Sequence, residues 1–312
     1  MYNNQNLTRK SGKKKTFFVA RVIMNETELQ ALIQLLDDPD AGVYSHVRDK
    51  FLELGLEAVP HLENNWELAE EVLTQQRIEN LIYSIKSHDV YQHLKNWKEN
   101  GGQNLLNGAI LVAKFQYHNI DEEKIRTKIN QIKQDVWIEL NDDLTAFEKI
   151  KVLNHIIFNL HDFKGDKDNF HSPKNSFINR VVDSKKGTPL SIGIIYAIIA
   201  QGLDIPVYGV NLPHHFILAY EDEFLAKFAP KEFATPGILF YINTFSGGAV
   251  FGKQDVLEFL KEINIEPKEE YFKPCNNISI IKRMITNICY AYQKSGKQEK
   301  EEHFKRLLSI FN

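Results

Sequence analysis

Apolar positions recur at helical spacing over most of the chain. Leu29, Leu32, Ile33 and Leu36 share one face, with Asn25 or Thr27 as the candidate cap, and Asp37-Asp-Pro-Asp40 ends that segment. Tyr44, Val47, Phe51 and Leu54 form the next stripe, closed by Gly55. This helix, Asp-Pro turn and second helix before Ala58-Val-Pro60 looks like a HEAT-type hairpin, which must bury its stripe on the helices that follow. Residues 66–98 read as further helix, with Trp66 and Trp97 as packing residues. Three more helices are marked by Leu106, Ala109, Ile110 and Ala113, by Ile125, Ile129, Ile132 and Val136, and by Phe147, Ile150, Leu153 and Ile157. Thr145 and Glu148 have the spacing of a capping box before the last of these.

The pattern changes after a long polar loop, His161 to Lys174. Pro189 opens a run that is apolar on every side (Leu190, Ile192, Ile194, Ile195, Ala197, Ile198, Ile199, Ala200), which suits a helix buried all round. Short segments of strand character follow: Val207–Asn211, His215–Tyr220, Phe224–Phe228 and Ile238–Asn243, with Glu221-Asp-Glu223 as a hairpin turn. Gln254–Ile263 is helical again. The tail carries two stripes, Ile281, Ile285, Ile288 and Tyr292, then Phe304, Leu307, Leu308 and Phe311, joined at Ser295-Gly-Lys297 as in one tetratricopeptide-like hairpin. The expected class is α+β, a buried helix on an antiparallel sheet with helical flanks. The expected divisions are a leader (1–23), a HEAT-like region (24–99), a core (100–265) and a C-terminal hairpin (266–312).

Charge refines this picture. Six basic residues and no acid lie in 1–23, so the remainder holds −9 where the whole sequence holds −3. An acidic body argues against nucleic acid as the main partner, and the basic leader reads as a disordered tail, with Met24 a candidate initiator. No apolar run is long enough to span a membrane. Two cysteines, Cys275 and Cys289, point to a reducing cytoplasm rather than a disulfide framework.

Candidate chemistry lies in four ordered blocks. They are Asn175-Ser176 with Asn179 and Val181; Gly187-Thr-Pro189-Leu-Ser191-Ile192 with Tyr196; Gly209-Val210 with Leu212-Pro213-His214-His215-Phe216; and Tyr241-Ile-Asn243-Thr-Phe245-Ser-Gly247-Gly248. Together they resemble the transglutaminase-like proteins of the SirB type. The resemblance covers about residues 100–265 and implies a papain/transglutaminase-like core. In active relatives a thiolate stands in a G-x-C turn at the start of the central helix. Counted back from the Leu203-Asp-Ile-Pro206 turn, that cysteine falls on Pro189. His215 aligns with the base and Asn243 with the residue that orients it. Asn175, Gly187, Pro189, Tyr196, Pro213, His214 and Phe216 are the expected pocket.

Each position also has a plainer reading. Ser191 is two residues along the helix from Pro189, about 200° round, and a hydroxyl there suits backbone groups of the first turn. Asn243 suits a strand-end turn before Gly247-Gly248. His214 and His215, adjacent on a strand, would point to opposite faces, and zinc needs three or four convergent ligands, so no metal or cofactor is expected. Two functional readings follow. One is a non-catalytic module binding a peptide or protein partner; the other is a serine hydrolase or acyltransferase using Ser191, His215 and Asn243. Transglutaminase and cysteine-protease activity are not expected, because both thiols lie outside the core blocks.

Overall fold

The computed structural model describes residues 26–230 and 235–312. The leader 1–23, Met24 and Asn25 lie outside the described residues. The described residues divide into two compact units, one ending at Ile85 and the other running from Lys86 to Asn312.

The described part of the first unit holds α1 (Glu26–Gln34), α2 (Ala41–Leu54), α3 (Val59–Leu68) and the first part of α4 (Val72–Glu99). Asp40 starts α2 by accepting from the Gly42 and Val43 amides, and Gly55 ends it at φ 63°. The stripes Leu29, Ile33 and Leu36 and Val47 and Phe51 meet Leu62, Ile78, Leu81 and Ile85 in one core.

In the second unit, α5 (Leu105–Gln116), α6 (Glu122–Glu139), α7 (Ala146–Asn154) and α8 (Ile178–Ser184) surround α9 (Pro189–Gln201). Eleven of the thirteen α9 residues are buried, as an all-apolar run requires. Between α7 and α9, β1 (Lys164–Gly165) pairs in parallel with β2 (Lys186–Gly187), which ties the long polar loop to the α9 start. β3 (Val207–Val210), β4 (Ile217–Glu221), β5 (Ile238–Asn243) and β6 (Ala249–Phe251) form one antiparallel sheet in that order. Alternate residues serve its two faces. Leu218, Tyr220, Phe240 and Ile242 join the core that holds α9. Ile217, Ala219 and Tyr241 join Val256 and Leu260 of α10 (Lys253–Glu262) on the other face. α11 (Asn277–Lys294) and α12 (Gln298–Leu308) contribute Ile281, Ile285, Ile288, Phe304 and Leu307 to the α9 core. The fold is α+β with helical flanks.

Three local expectations change. Phe224–Phe228 is not a strand, because the Asp222 carboxylate accepts from the Phe224 and Leu225 amides and winds Leu225–Lys227 into a 3-10 turn. Residues 66–98 contain a break between α3 and α4. His214 and His215 precede β4 instead of opening it.

Candidate active-site cleft

The start of α9 is held by a reciprocal capping box. Thr188 Oγ1 accepts from the Ser191 amide at 3.2 Å, and Ser191 Oγ accepts from the Thr188 amide at 2.9 Å. Ser191 Oγ donates its own proton to the Asn175 carbonyl at 2.6 Å and is 4% exposed. Its hydroxyl therefore joins the α9 start to the backbone of the polar loop. Asn175 continues the tie, donating to the Asp166 carboxylate at 3.0 Å and to the Asn169 carbonyl at 2.8 Å. Gly187 leaves room for this junction, since a Cβ there would stand 2.5 Å from Ser191 Oγ.

Ser191→Ala is expected to destabilise the chain by about 1 kcal/mol, because it removes the Ser191 half of the capping box and leaves the Thr188 amide and the Asn175 carbonyl only their longer mutual bond of 3.4 Å. Urea unfolding measures this. A midpoint equal to that of the wild type would refute the role.

Across from the α9 start, residues 212–215 form a β-turn closed by the His215 amide donating to the Leu212 carbonyl at 3.1 Å. Pro213 takes the second position and His214 the third, at φ 57°, which is the pattern of a type II turn. Glycine normally fills that third position, so His214 holds a strained backbone with its side chain exposed. The turn is anchored from α11. Arg283 donates from Nη1 to the Leu212 carbonyl at 2.9 Å and from Nη2 to the His215 carbonyl at 2.8 Å. These bonds bring segments far apart in sequence together at the site.

The His215 ring lies 6.0 Å from the Phe259 ring, and its pKa falls below the usual imidazole value because burial disfavours the charged form. The Asn243 side chain, as an acceptor for the protonated ring, pulls the other way, and the Arg283 charge adds to the lowering. The resting ring is neutral at pH 7, the form able to take a proton. Asn243 stands at the end of β5 and also accepts from the Phe245 amide at 3.1 Å. It thus serves both as a turn residue and as a partner of the imidazole.

A cleft of about 550 Å³ lies over these elements. Of the expected residues, Pro189, His214, His215 and Phe216 line it. Ser191, Asn243, Asn175, Gly187, Tyr196 and Pro213 do not. Tyr196 is fully buried, and its hydroxyl donates to Asn154 Oδ1 at 3.0 Å. His171, Arg283, Asn287 and Tyr290 also line the cleft. They lie on the polar loop and on the side of α11 away from its apolar stripe, where no sequence motif marks them. A larger depression, about 720 Å³, opens beside residues 221–229 and 235–238, and its lining holds none of the expected site residues. No group of three His, Cys, Asp or Glu side chains suited to a metal occurs among the described residues. None of their helices is long and apolar enough to cross a membrane.

Several known proteins share parts of this sequence at low identity. The chain is 27% identical over 114 residues to a UPF0162 protein of Xylella fastidiosa, covering 36% of this chain and 41% of that one. It is 28% identical over 103 residues to a UPF0162 protein of Pasteurella multocida, covering 33% of this chain and 39% of the relative. F-box only protein 21 of Mus musculus is 23% identical over 256 residues, 74% of this chain and 39% of that protein. The matched regions thus span about two fifths of the length of these relatives, and no solved structure matches the chain. The pattern of the transglutaminase-like superfamily matches residues 123–286, from α6 to the middle of α11 and including every cleft element from Pro189 to Arg283. With more than half of its length covered by that match, the chain belongs to the transglutaminase-like superfamily.

Proposed function

We propose that this chain is a SirB-type member of the superfamily and acts without catalysis, holding a peptide segment of a protein partner in the cleft. The observation that carries the reading is Pro189. It lines the cleft with His215; the resemblance aligns it with the thiol of active relatives, and proline has no nucleophile. The cleft's aromatic and polar lining suits a side-chain-bearing segment better than a featureless apolar ligand. The flanking helices, HEAT-like over 24–99 and tetratricopeptide-like over 266–312, are further surfaces for the partner. Free Cys275 and Cys289 are consistent with a cytoplasmic setting.

The Asn243 side chain acting on the His215 imidazole favours a second reading, a hydrolase or acyltransferase with Ser191 as nucleophile. The buried and fully bonded Ser191 hydroxyl, outside the cleft lining, weighs against it. Labelling with a fluorophosphonate probe separates the two. The binding reading expects no adduct in the wild type. An adduct on Ser191 that disappears in both Ser191→Ala and His215→Ala would establish the hydrolase instead.

A further inference from the structure

Arg283 carries a charge that no described carboxylate balances. Its guanidinium is partly buried at the cleft, and desolvation works against its charged form. Its acceptors are all neutral: the Leu212 and His215 carbonyls and, at 3.3 Å, Asn211 Oδ1. No carboxylate among the described residues pairs with it, and no aspartate or glutamate lines the cleft. A guanidinium has five N–H groups. Two are used from Nη1 and one from Nη2, so Nε–H and the second Nη2 proton have no acceptor among the described residues. Anchoring a turn through carbonyls does not require a full charge, and a buried charge without a counter-ion is costly.

Several other lining residues can donate hydrogen bonds. The rings of His171 and His214 and the Asn287 amide are among them, and the start of α9 presents its positive end. We infer that the cleft receives a carboxylate of the bound segment, held by the Nε and Nη2 donors of Arg283. This rests on the peptide-binding reading above and names what the peptide must carry. A carboxylate fits better than a phosphate, which brings close to two negative charges and is met by clusters of arginines, whereas this lining has one fixed cation. The carboxylate has two possible sources, an acidic side group or a free peptide C-terminus.

Titration of the ¹⁵N-labelled full-length protein with three acetylated probes tests this, read on the arginine Nε–H signals and the Asn287 and Tyr290 amides. The probes are Ala-Ala-Glu-Ala-Ala amide, Ala-Ala-Gln-Ala-Ala amide, and the glutamine peptide with a free C-terminal carboxylate. The expected result is that a carboxylate-bearing probe moves the Arg283 Nε–H signal and binds at least about tenfold tighter than the neutral one. Preference for the glutamate amide assigns an acidic side group, and preference for the free acid assigns a C-terminus. Arg283→Lys, which keeps the charge but loses the fork, is expected to weaken that binding. Because Arg283 also anchors the turn, the comparison of probes on the wild type is the deciding one. Equal binding of the neutral and acidic probes would overturn the carboxylate while leaving the cleft a peptide site. No movement of any cleft signal by any probe would overturn both. Tighter binding of inorganic phosphate than of acetate would also overturn the assignment.

Discussion

Gly248→Ala is expected to destabilise the second unit by about 3 kcal/mol, far more than the addition of a single methyl group suggests. Two terms add. Gly248 stands at φ 78°, where adding a Cβ costs about 1–2 kcal/mol. A Cβ there would also overlap the Asn154 amide. Asn154 cannot simply turn away, because Nδ2 donates to the Gly248 carbonyl at 2.8 Å while Oδ1 accepts from the Tyr196 hydroxyl at 3.0 Å. Tyr196 is fully buried on α9, so a displaced Asn154 leaves its hydroxyl without a partner, at about 1–3 kcal/mol.

Gly247 supplies the control. It has φ 67° and nothing within 4 Å of where its Cβ would stand, so Gly247→Ala should show the backbone term alone. Urea midpoints of the two variants measure the difference. If Gly248→Ala is no worse than Gly247→Ala, Asn154 does not couple the central helix to the turn after β5.

The same network shows what can be read in the sequence and what cannot. Pro189 after a polar turn, followed by an all-apolar run, defines α9 by local rules alone, and short apolar runs bounded by turn residues do the same for most of the sheet. Ser191 is legible for the same reason, since a hydroxyl three residues after Thr188 has the spacing of a capping pair. The Phe224–Phe228 segment is a short apolar run as the strands are, yet an aspartate just upstream caps it into a turn; side-chain-to-backbone competition of that kind is easily missed. The two histidines look like a strand opening because the apolar run after them is one. The 212–215 turn is instead set by Arg283, which lies some seventy residues further on. Its place in a motif makes Tyr196 a pocket candidate, but the side of a wholly apolar helix that meets a cleft has no sequence signature, and Tyr196 faces Asn154. Arg283 and Tyr290 are invisible in the sequence because only tertiary packing carries α11 to the cleft.

Restoring a nucleophile at the α9 start tests the central claim, that the cleft keeps the architecture of a thiol enzyme and lacks only the thiol. Pro189→Cys places a sulfhydryl at the first helical position, where the helix dipole lowers its pKa, in the same cleft as His215. The thiol proton passes to the neutral imidazole, the thiolate attacks the methylene of iodoacetamide, and iodide leaves. The two native thiols provide the internal reference. Burial pushes both Cys275 and Cys289 up to about 11, so each is almost wholly protonated at pH 7. The account predicts one rapid adduct, at position 189, at least about a hundredfold faster than at either native cysteine, with the advantage falling when His215→Ala is added. Mass spectrometry of a timed alkylation at pH 7 measures it. Alkylation at 189 no faster than at Cys275 and Cys289, or a fast rate unaffected by His215→Ala, would contradict the claim that Pro189 fills the nucleophile's place opposite the histidine.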